Sequence, residues 1–178
     1  MAEIKLTRNK IAIVDDEELL RCLAYNWRAR HGKTSRPDVW YAETWMRDES
    51  GRRIVVGLHR FILGAPKGID IDHRDGDGLN NRRSNLRLAT ASQNHANMVK
   101  QRRMSATSQF KGVTRSNQQI EPRPNSRWEA RIKVNRQKIY LGVFSSEMEA
   151  AQAYDCAAVL YFGDFAKPNF GTVGVSGL

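Results

Sequence analysis

The chain has 178 residues and carries 29 Lys and Arg residues against 19 Asp and Glu residues, a net charge of +10 at pH 7. This length suits one core or two or three small modules and excludes a large multidomain enzyme. No apolar run approaches the roughly 18 residues that a membrane span needs, which excludes an integral membrane protein. The first residues lack the apolar core of a secretion signal, and Cys22 and Cys156 stand far apart. We therefore expect neither a secreted disulfide scaffold nor a cysteine zinc knuckle.

The positive charge is unevenly distributed. Residues 1–50 have a net charge of 0, residues 51–108 of +7 and residues 109–178 of +3. Within the last segment, residues 109–144 carry 8 basic and 2 acidic side chains, whereas residues 145–178 carry 1 and 4. This excess predicts a polyanionic partner that is faced by one element of the last domain and not by another.

The sequence of the N-terminal third predicts a small β-rich region. Ile11 and Ile13 alternate as a strand, and Asp15 with Glu18 predicts the capped start of a short helix. Further on, two strands are joined by a turn at residues 48–51, and the second runs into a short apolar segment around Ile62. We expect residues 1–53 to support the rest of the chain, with some DNA backbone contact through Arg28, Arg30, Lys33 and Arg36.

The sequence of the middle of the chain predicts two strands and a helix. A strand around Ile69 and Ile71 precedes a turn at residues 75–78, and Leu86 and Leu88 alternate in a second strand. Thr90 or Ser92 then caps a helix that we expect to run to about Arg102. The polar residues 101–108 indicate a linker.

Residues 109–170 predict a sheet covered by a helix. From Trp128 to Val134 apolar residues alternate with charged or polar ones, so the sheet has one apolar and one basic face. A capping box at Ser146 and Glu149 begins an Ala-rich helix, which Gly163 ends. We expect Tyr154, Ala158 and Tyr161 to cover the sheet, and residues 171–178 to form a tail. The fold class is α+β: a small N-terminal antiparallel sheet, a two-strand-and-helix finger, and a three-stranded antiparallel sheet packed on one helix.

The candidate catalytic and metal-binding residues are concentrated in the predicted finger of two strands and a helix. Asp72 and His73 are adjacent on its first strand, and Asn94 lies on its helix. A carboxylate and an amide oxygen can hold one hard divalent cation, while an imidazole takes a proton from water. Magnesium suits such an open site because it keeps several waters. This division of work is sufficient to hydrolyse a phosphodiester bond.

At these positions the chain resembles the phage and intron homing type of HNH endonuclease, with its beta-beta-alpha-metal finger. The matching residues are Asp72-His73, then Asn80-Asn81-Arg82 with Asn85-Leu86-Arg87, then Asn94 and Asn97. The resemblance covers roughly residues 54–100, which we take as the nuclease finger. It implies His73 as general base, Asp72 and Asn94 as ligands of magnesium (Mg2+) or manganese (Mn2+), and Asn85 as the residue that ties the loop to the strand and so orients His73.

Neighbouring polar residues have plainer interpretations. We expect Asn80 and Asn81 to be turn residues that satisfy loop backbone, and Asp75 and Asp77 to serve the turn. For His59 two roles are open, a structural one and a phosphate contact near the site. We expect His95 to face solvent beside Asn94, and His31 to lie at the surface.

The last module resembles the plant Apetala-two or ethylene-response-factor (AP2/ERF) DNA-binding domain. The match covers residues 109–170 and includes K-G-V, Y-L-G-x-F, E-x-A-A-x-A-Y-D-x-A-A and a closing N-F. It implies a sheet that enters the DNA major groove. The positions it assigns to DNA contact are Lys111, Arg115, Arg127, Arg131, Lys133, Lys138 and Tyr140. Thr114, Tyr140 and a long first hairpin loop at residues 118–126 depart from the family pattern, so its base preference is not transferred.

Together the modules predict a DNA endonuclease that nicks one strand of double-stranded DNA as a monomer. We expect it to be of bacteriophage or mobile-element origin and to act in the cytoplasm of the infected bacterium. The alternative is a sequence-specific DNA-binding regulator with an inactive finger. RNA binding is disfavoured because Tyr140 is the one candidate stacking residue on the sheet.

Overall fold

The computed structural model describes residues 1–32, 39–100, 106–116 and 127–171. Lys33, Arg36, the hairpin loop at residues 118–126 and most of the predicted linker and tail lie outside the described residues. The chain divides into two compact units, Met1–Thr90 and Ala91–Leu178. The predicted α+β class, with small antiparallel sheets and a three-stranded sheet on a C-terminal helix, is confirmed. The predicted domain boundaries within the chain remain predictions.

Among its described residues, the first unit contains three small antiparallel sheets, two short α-helices and a 3-10 helix at Thr7–Asn9. Its elements are β1 (Ala2–Lys5), β2 (Ile11–Val14), α1 (Asp16–Leu23), β3 (Arg28–His31), β4 (Trp40–Arg47), β5 (Arg53–Gly57), α2 (Leu58–Leu63), β6 (Asp70–His73) and β7 (Leu86–Ala89). The sheets are β1-β2, β3-β4-β5 and β6-β7. The sequence analysis did not identify β1, which pairs along its whole length with β2.

The turn between β4 and β5 forms where the sequence predicted it. The Asp48 carboxylate accepts hydrogen bonds from the backbone nitrogens of Ser50 and Arg52, at 3.1 and 3.0 Å. Gly51 has a φ of +78°, a conformation that glycine adopts without steric cost. The apolar segment that follows β5 is α2, which buries Leu58 and Ile62.

One buried cluster joins the three sheets of the first unit. Val14, Cys22, Leu58, Ile71 and Leu86 belong to it, and each comes from a different strand or helix. The β6-β7 hairpin is therefore built onto the same core as the N-terminal strands. This core supports the expectation that the N-terminal region stabilises the finger.

The second unit consists of one sheet and two α-helices among the described residues. Its elements are α3 (Ala91–Ala96), β8 (Val113–Arg115), β9 (Trp128–Val134), β10 (Gln137–Phe144) and α4 (Glu147–Phe162). The strand order is β10-β9-β8, with both pairs antiparallel. The turn between β9 and β10 has Asn135 and Arg136 at φ of 48° and 71°, the left-handed conformation of a tight hairpin turn.

Helix α4 covers one side of this sheet. The Ser146 hydroxyl caps it by accepting from the Glu149 backbone nitrogen at 3.1 Å, and Gly163 ends it, both as predicted. Tyr154 and Ala158 are buried against the sheet, as predicted. The prediction for Tyr161 is wrong: its side chain is 46% exposed, because it lies on the outer side of the helix.

Helix α3 is shorter than predicted. It ends at Ala96 and not near Arg102, because Met98 turns back to donate to the His95 carbonyl, three residues earlier. Ala96 is buried in the apolar cluster of Ile132, Tyr154 and Phe162. In the described part of the chain, no helix has the length and apolar character needed to cross a membrane.

Candidate active site

The β6-β7 hairpin places the two central residues of the candidate site side by side. Asp72 and His73 end β6, and in the antiparallel register they face Arg87 and Leu86 of β7. Both side chains are buried, at 4% and 6% exposure. A carboxylate and an imidazole at this depth need internal partners, because an unpaired buried polar group is costly.

Arg87 is the partner of Asp72. Its Nε and Nη2 donate to Asp72 Oδ2 at 2.8 and 2.7 Å, and the Arg87 side chain is itself buried. Both donors of the guanidinium converge on this one oxygen, as charge-assisted hydrogen bonds. Asp72 is therefore anchored through Oδ2 to the strand opposite.

The loop between β6 and β7 is held together by Asn85. Its Oδ1 accepts from the Asp75 backbone at 3.1 Å, and its Nδ2 donates to Asp75 Oδ1 at 2.9 Å and to the Asn80 carbonyl at 2.8 Å. These bonds tie the loop to the start of β7. Burial raises the pKa of the Asp75 carboxyl, but hydrogen bonds from Asp77, Asn85 and Asn80 lower it by more, so this pKa lies below its usual value.

The short polar residues of this loop divide into two kinds. Asp75 and Asp77 accept from backbone nitrogens two residues ahead and serve the turn as expected. The Asn80 side chain bonds to the Asp75 carboxylate and to Arg82 Nε, not to loop backbone as expected. The Asn81 side chain does satisfy loop backbone, since its Nδ2 donates to the Gly78 carbonyl at 3.3 Å, and it has a second contact. It is fully buried, and its Oδ1 lies 3.4 Å from His73 Nε2.

Strand β2 holds this loop from outside the hairpin. The Ile13 nitrogen donates to the Leu79 carbonyl at 2.8 Å, and the Asn81 nitrogen donates to the Ile13 carbonyl at 2.7 Å. Arg83 ties the end of the loop to α1, through its Nε on Glu18 at 2.7 Å and its backbone nitrogen on Asp15 Oδ2 at 2.8 Å. Asp15 is the N-cap residue of α1, as predicted, but its carboxylate accepts from the Arg83 backbone and makes no capping hydrogen bond.

His59 and Tyr41 surround the His73 ring. The ring centroids of His59 and His73 lie 5.3 Å apart, and that of Tyr41 lies 6.0 Å from His73. Burial, with the nearby His73 second, lowers the pKa of His59 to about 3. Burial also lowers the pKa of His73. Both imidazoles are therefore neutral near pH 7. The structure places His59 against His73, and the choice between a structural role and a phosphate contact stays open.

Asn94, the second predicted metal ligand, lies on α3 in the second unit. That helix is fixed there by Ser92, whose hydroxyl accepts from the Asn135 backbone at 3.0 Å, and by the burial of Ala96. The joint ligation of a metal by Asp72 and Asn94 stays a prediction. His95 is exposed beside Asn94, as expected.

The oxygen donors of Asp72 and Asn94 fit a hard divalent cation, which takes few protein ligands and keeps its waters. Among the described residues, no group of three or more His, Cys, Asp or Glu side chains is arranged to hold a metal ion. Arg87 already occupies one oxygen of the Asp72 carboxylate.

The second unit presents an exposed surface on the side of its sheet away from α4. We call this surface the basic face; it comprises Thr114, Glu129, Arg131, Lys133, Lys138 and Tyr140. Lys133 lies directly opposite Lys138, and Arg131 opposite Tyr140. Glu129 forms an ion pair with Arg131. The alternation predicted for β9 is confirmed, since Ala130 and Ile132 are buried on the other side.

Three predicted DNA-contact residues lie elsewhere. By register Arg115 shares the α4 side of β8 with the buried Val113, although its own side chain is exposed. The Lys111 side chain donates to the Ala96 carbonyl of α3 and lies over the Tyr154 ring. Arg127 directly precedes β9, at the edge of the basic face. Sequence alternation already predicts the side of the sheet on which Arg115 lies, whereas the contact of Lys111 depends on the fold.

Comparison with known proteins agrees with both parts of this description. Residues 59–96 match the HNH endonuclease family model. An uncharacterized HNH endonuclease of Acanthamoeba polyphaga mimivirus is 36% identical over 118 residues, which are 63% of this chain and 56% of that protein.

The C-terminal part matches plant proteins. An AP2/ERF and B3 domain-containing protein of Oryza sativa subsp. japonica is 42% identical over 64 residues, 36% of this chain and 16% of that protein. An AP2-like ethylene-responsive transcription factor of Arabidopsis thaliana is 45% identical over 65 residues, 35% of this chain and 10% of that protein. The chain thus spans about half of the viral relative and a small part of each plant relative. Residues 59–96 are thus similar to HNH endonucleases, and the C-terminal part of the chain is homologous to AP2/ERF domains.

Proposed function

We propose that this chain is a metal-dependent DNA endonuclease of the HNH homing type, which cuts double-stranded DNA held on its basic face. The observation that carries the proposal is the buried pair of Asp72 and His73, fixed by Arg87 and Asn81, inside the segment that matches the HNH endonuclease family. The AP2/ERF homology of the C-terminal part supports DNA as the partner.

His73 acts as the general base. Because burial lowers its pKa, the ring is neutral near pH 7 and can accept a proton from a water molecule. The resulting hydroxide attacks the phosphorus, the P–O bond to the leaving oxygen breaks, and that oxygen takes up a proton. The Arg87 ion pair holds the neighbouring Asp72 in place during this step.

HNH endonucleases generally use a divalent metal, and we propose Mg2+ or Mn2+ held by Asp72 and Asn94. When bound, the ion offsets negative charge on the phosphate and on the leaving oxygen. The donor atoms of this chain support the assignment, since carboxylate and amide oxygens suit a hard cation.

The basic face supplies the DNA contact. Like charges placed directly opposite in a sheet are destabilising, so the pair of Lys133 and Lys138 weakens the isolated unit. A phosphate backbone against this face would relieve that repulsion. Arg131, Arg127 and Tyr140 extend the contact along the same side and its edge.

The N-terminal region serves as support. Glu43 forms ion pairs with Arg28 at 2.9 Å and with Arg30 at 2.7 Å, so its carboxylate offsets one of their two positive charges. Phosphate contact at these arginines is therefore disfavoured relative to contact at the basic face. Support of the finger is favoured by the bonds that β2 and α1 make to the loop of residues 79–83.

The number of bonds cut follows from the number of sites. A chain with one His73 has one base, so a monomer cuts one strand in each binding event. We propose that the product from supercoiled DNA is a nicked circle.

A supercoiled plasmid incubated with wild type, His73→Ala or His95→Ala tests the proposal. With magnesium, wild type and His95→Ala are expected to give nicked circles, while His73→Ala is slower by about 10²-fold or more. A chelator stops all three. Retained DNA binding without cleavage in any condition would instead favour a binding protein with an inactive finger.

A further inference from the structure

We infer that Asn81 is the positioning residue of His73: its amide oxygen receives the Nε2 proton and so makes Nδ1 the basic nitrogen. The role of His73 as general base, which this inference assumes, rests on the proposed function. The tautomer and the orientation of the ring can be measured without any cleavage.

The backbone of Asn81 is fixed by strand β2. Its nitrogen donates to the Ile13 carbonyl at 2.7 Å, and Asn80 forms a parallel bridge with Ile13. The residue has no exposed surface. Its side chain therefore has few rotamers available, and the amide group stays close to His73.

Gly78 determines which way the amide group faces. Asn81 Nδ2 donates to the Gly78 carbonyl at 3.3 Å. A carbonyl can only accept, so the amide nitrogen must face Gly78 and the amide oxygen must face His73. The backbone of Gly78 is closely packed, since an added Cβ would lie 2.4 Å from the Trp40 carbonyl oxygen and 2.5 Å from the Tyr41 ring.

The tautomer of His73 follows from this orientation. Asn81 Oδ1 lies 3.4 Å from His73 Nε2 and can only accept a hydrogen bond, so Nε2 must carry the proton. In a neutral imidazole the other nitrogen, Nδ1, then holds the basic lone pair. This distance is at the long end for a hydrogen bond, and such contacts commonly tighten in the substrate complex.

Asn85 has a different task. Its side chain bonds to Asp75 and to the Asn80 carbonyl, which fix the loop. Asn85 thus orients His73 through the loop, as the HNH resemblance implies, whereas Asn81 contacts the ring directly.

The test combines nitrogen NMR of the full chain with kinetics. Imidazole spectra of 15N-labelled wild type, with His73→Ala used to assign the signal, report which nitrogen carries the proton. Spectra are recorded near pH 8, where the ring is neutral. We expect Nε2–H in wild type, a mixture of tautomers in Asn81→Leu, and Nε2–H again in Asn81→Asp, whose carboxylate keeps an acceptor. Asn80→Ala removes a neighbouring loop amide and is expected to leave the tautomer unchanged.

The expected loss of activity is the one typical of residues that orient the reacting side chains of a site without reacting themselves. Asn81→Leu should lower kcat about 10- to 100-fold with little change in KM, and Asn81→Asp should recover most of the loss. A wild-type His73 protonated on Nδ1 would overturn the inference, even if Asn81→Leu did not fold. An Asn80→Ala variant as slow as Asn81→Leu would also overturn it, since loop integrity would then explain the loss. A correct tautomer in a wild type that does not cut DNA would contradict the proposed function and leave the tautomer assignment standing.

Discussion

The burial of His59 makes the free energy of unfolding of the first unit depend on pH. Its Nδ1 is a buried atom without a hydrogen-bond partner among the described residues, and its pKa is about 3. An unfolded histidine takes up a proton near pH 6.5. Between these values the unfolded state binds more protons, so the free energy of unfolding falls as the pH falls from about 6.5 towards 3.

We therefore predict that His59→Gln reduces this acid dependence by up to about 1.4 kcal/mol per pH unit, the contribution of one proton. Urea unfolding between pH 4.5 and pH 7.5 measures it. Tryptophan fluorescence is a suitable signal, because Trp27, Trp40 and Trp45 lie in the first unit and only Trp128 in the second. An unchanged slope in the variant would contradict the assignment of this protonation to His59.

The sequence predicted some site residues and missed others for a physical reason. Asp72 and His73 are adjacent in a recognisable motif, so a local pattern identifies them. Asn81 and His59 contact His73 across 8 and 14 positions of the chain, through a loop held by Ile13 and a helix held by the core. Such contacts depend on tertiary packing, which periodicity does not report.

Among the elements, the approach of β8 to α4 depends on Gly112. This glycine has a φ of +77°, and an added Cβ would lie 1.9 Å from the Tyr154 ring and 2.7 Å from the Arg131 carbonyl oxygen. A side chain here meets backbone strain and overlap together. No nearby flexible group can move aside, since Tyr154 is buried.

We predict that Gly112→Ala destabilises the second unit by about 2–5 kcal/mol, the combined cost of a left-handed conformation and overpacking. Gly171→Ala is the matched control, because its φ is +75° but nothing lies within 4 Å of an added Cβ. The control should cost only about 1–2 kcal/mol. Thermal unfolding followed by circular dichroism compares the two, and equal losses would show that close packing against Tyr154 is not the cause.

The elements that the sequence predicted well are those with strong local signals. The alternation of β9, the Ser146 cap and the Gly163 stop need no knowledge of distant residues. By contrast, β1 carries little pattern of its own and is defined by pairing with β2. The early end of α3 likewise depends on its packing in the second unit, where Ala96 is buried.

At the scale of the whole molecule, the proposed function assigns DNA binding to one unit and cleavage to the other. The basic face belongs to the second unit, and His73 to the first. Homing, a bacteriophage origin and a bacterial cytoplasmic location remain predictions. The viral relative supports a viral setting for a related protein only.

We predict that Lys133→Gln with Lys138→Gln lowers the slope of log affinity against log salt by about 2, because each lysine neutralises one phosphate of the bound DNA. Arg115→Gln removes a positive charge from the other side of the same sheet and should change the slope little. Fluorescence anisotropy of a labelled duplex between low and moderate salt measures both. If Arg115→Gln had the larger effect, the DNA contact would not lie on the basic face.

The most direct test of the central claim measures binding and cutting on the same DNA. A duplex selected from a random pool by wild-type protein is offered with magnesium to wild type and to His73→Ala, and the bound and cleaved fractions are determined together. We predict equal binding by both proteins and a loss of cleavage of about 10²-fold or more in His73→Ala. Cleavage by His73→Ala at the wild-type rate would contradict the assignment of the general base and, with it, the account of this chain as an HNH endonuclease acting through β6.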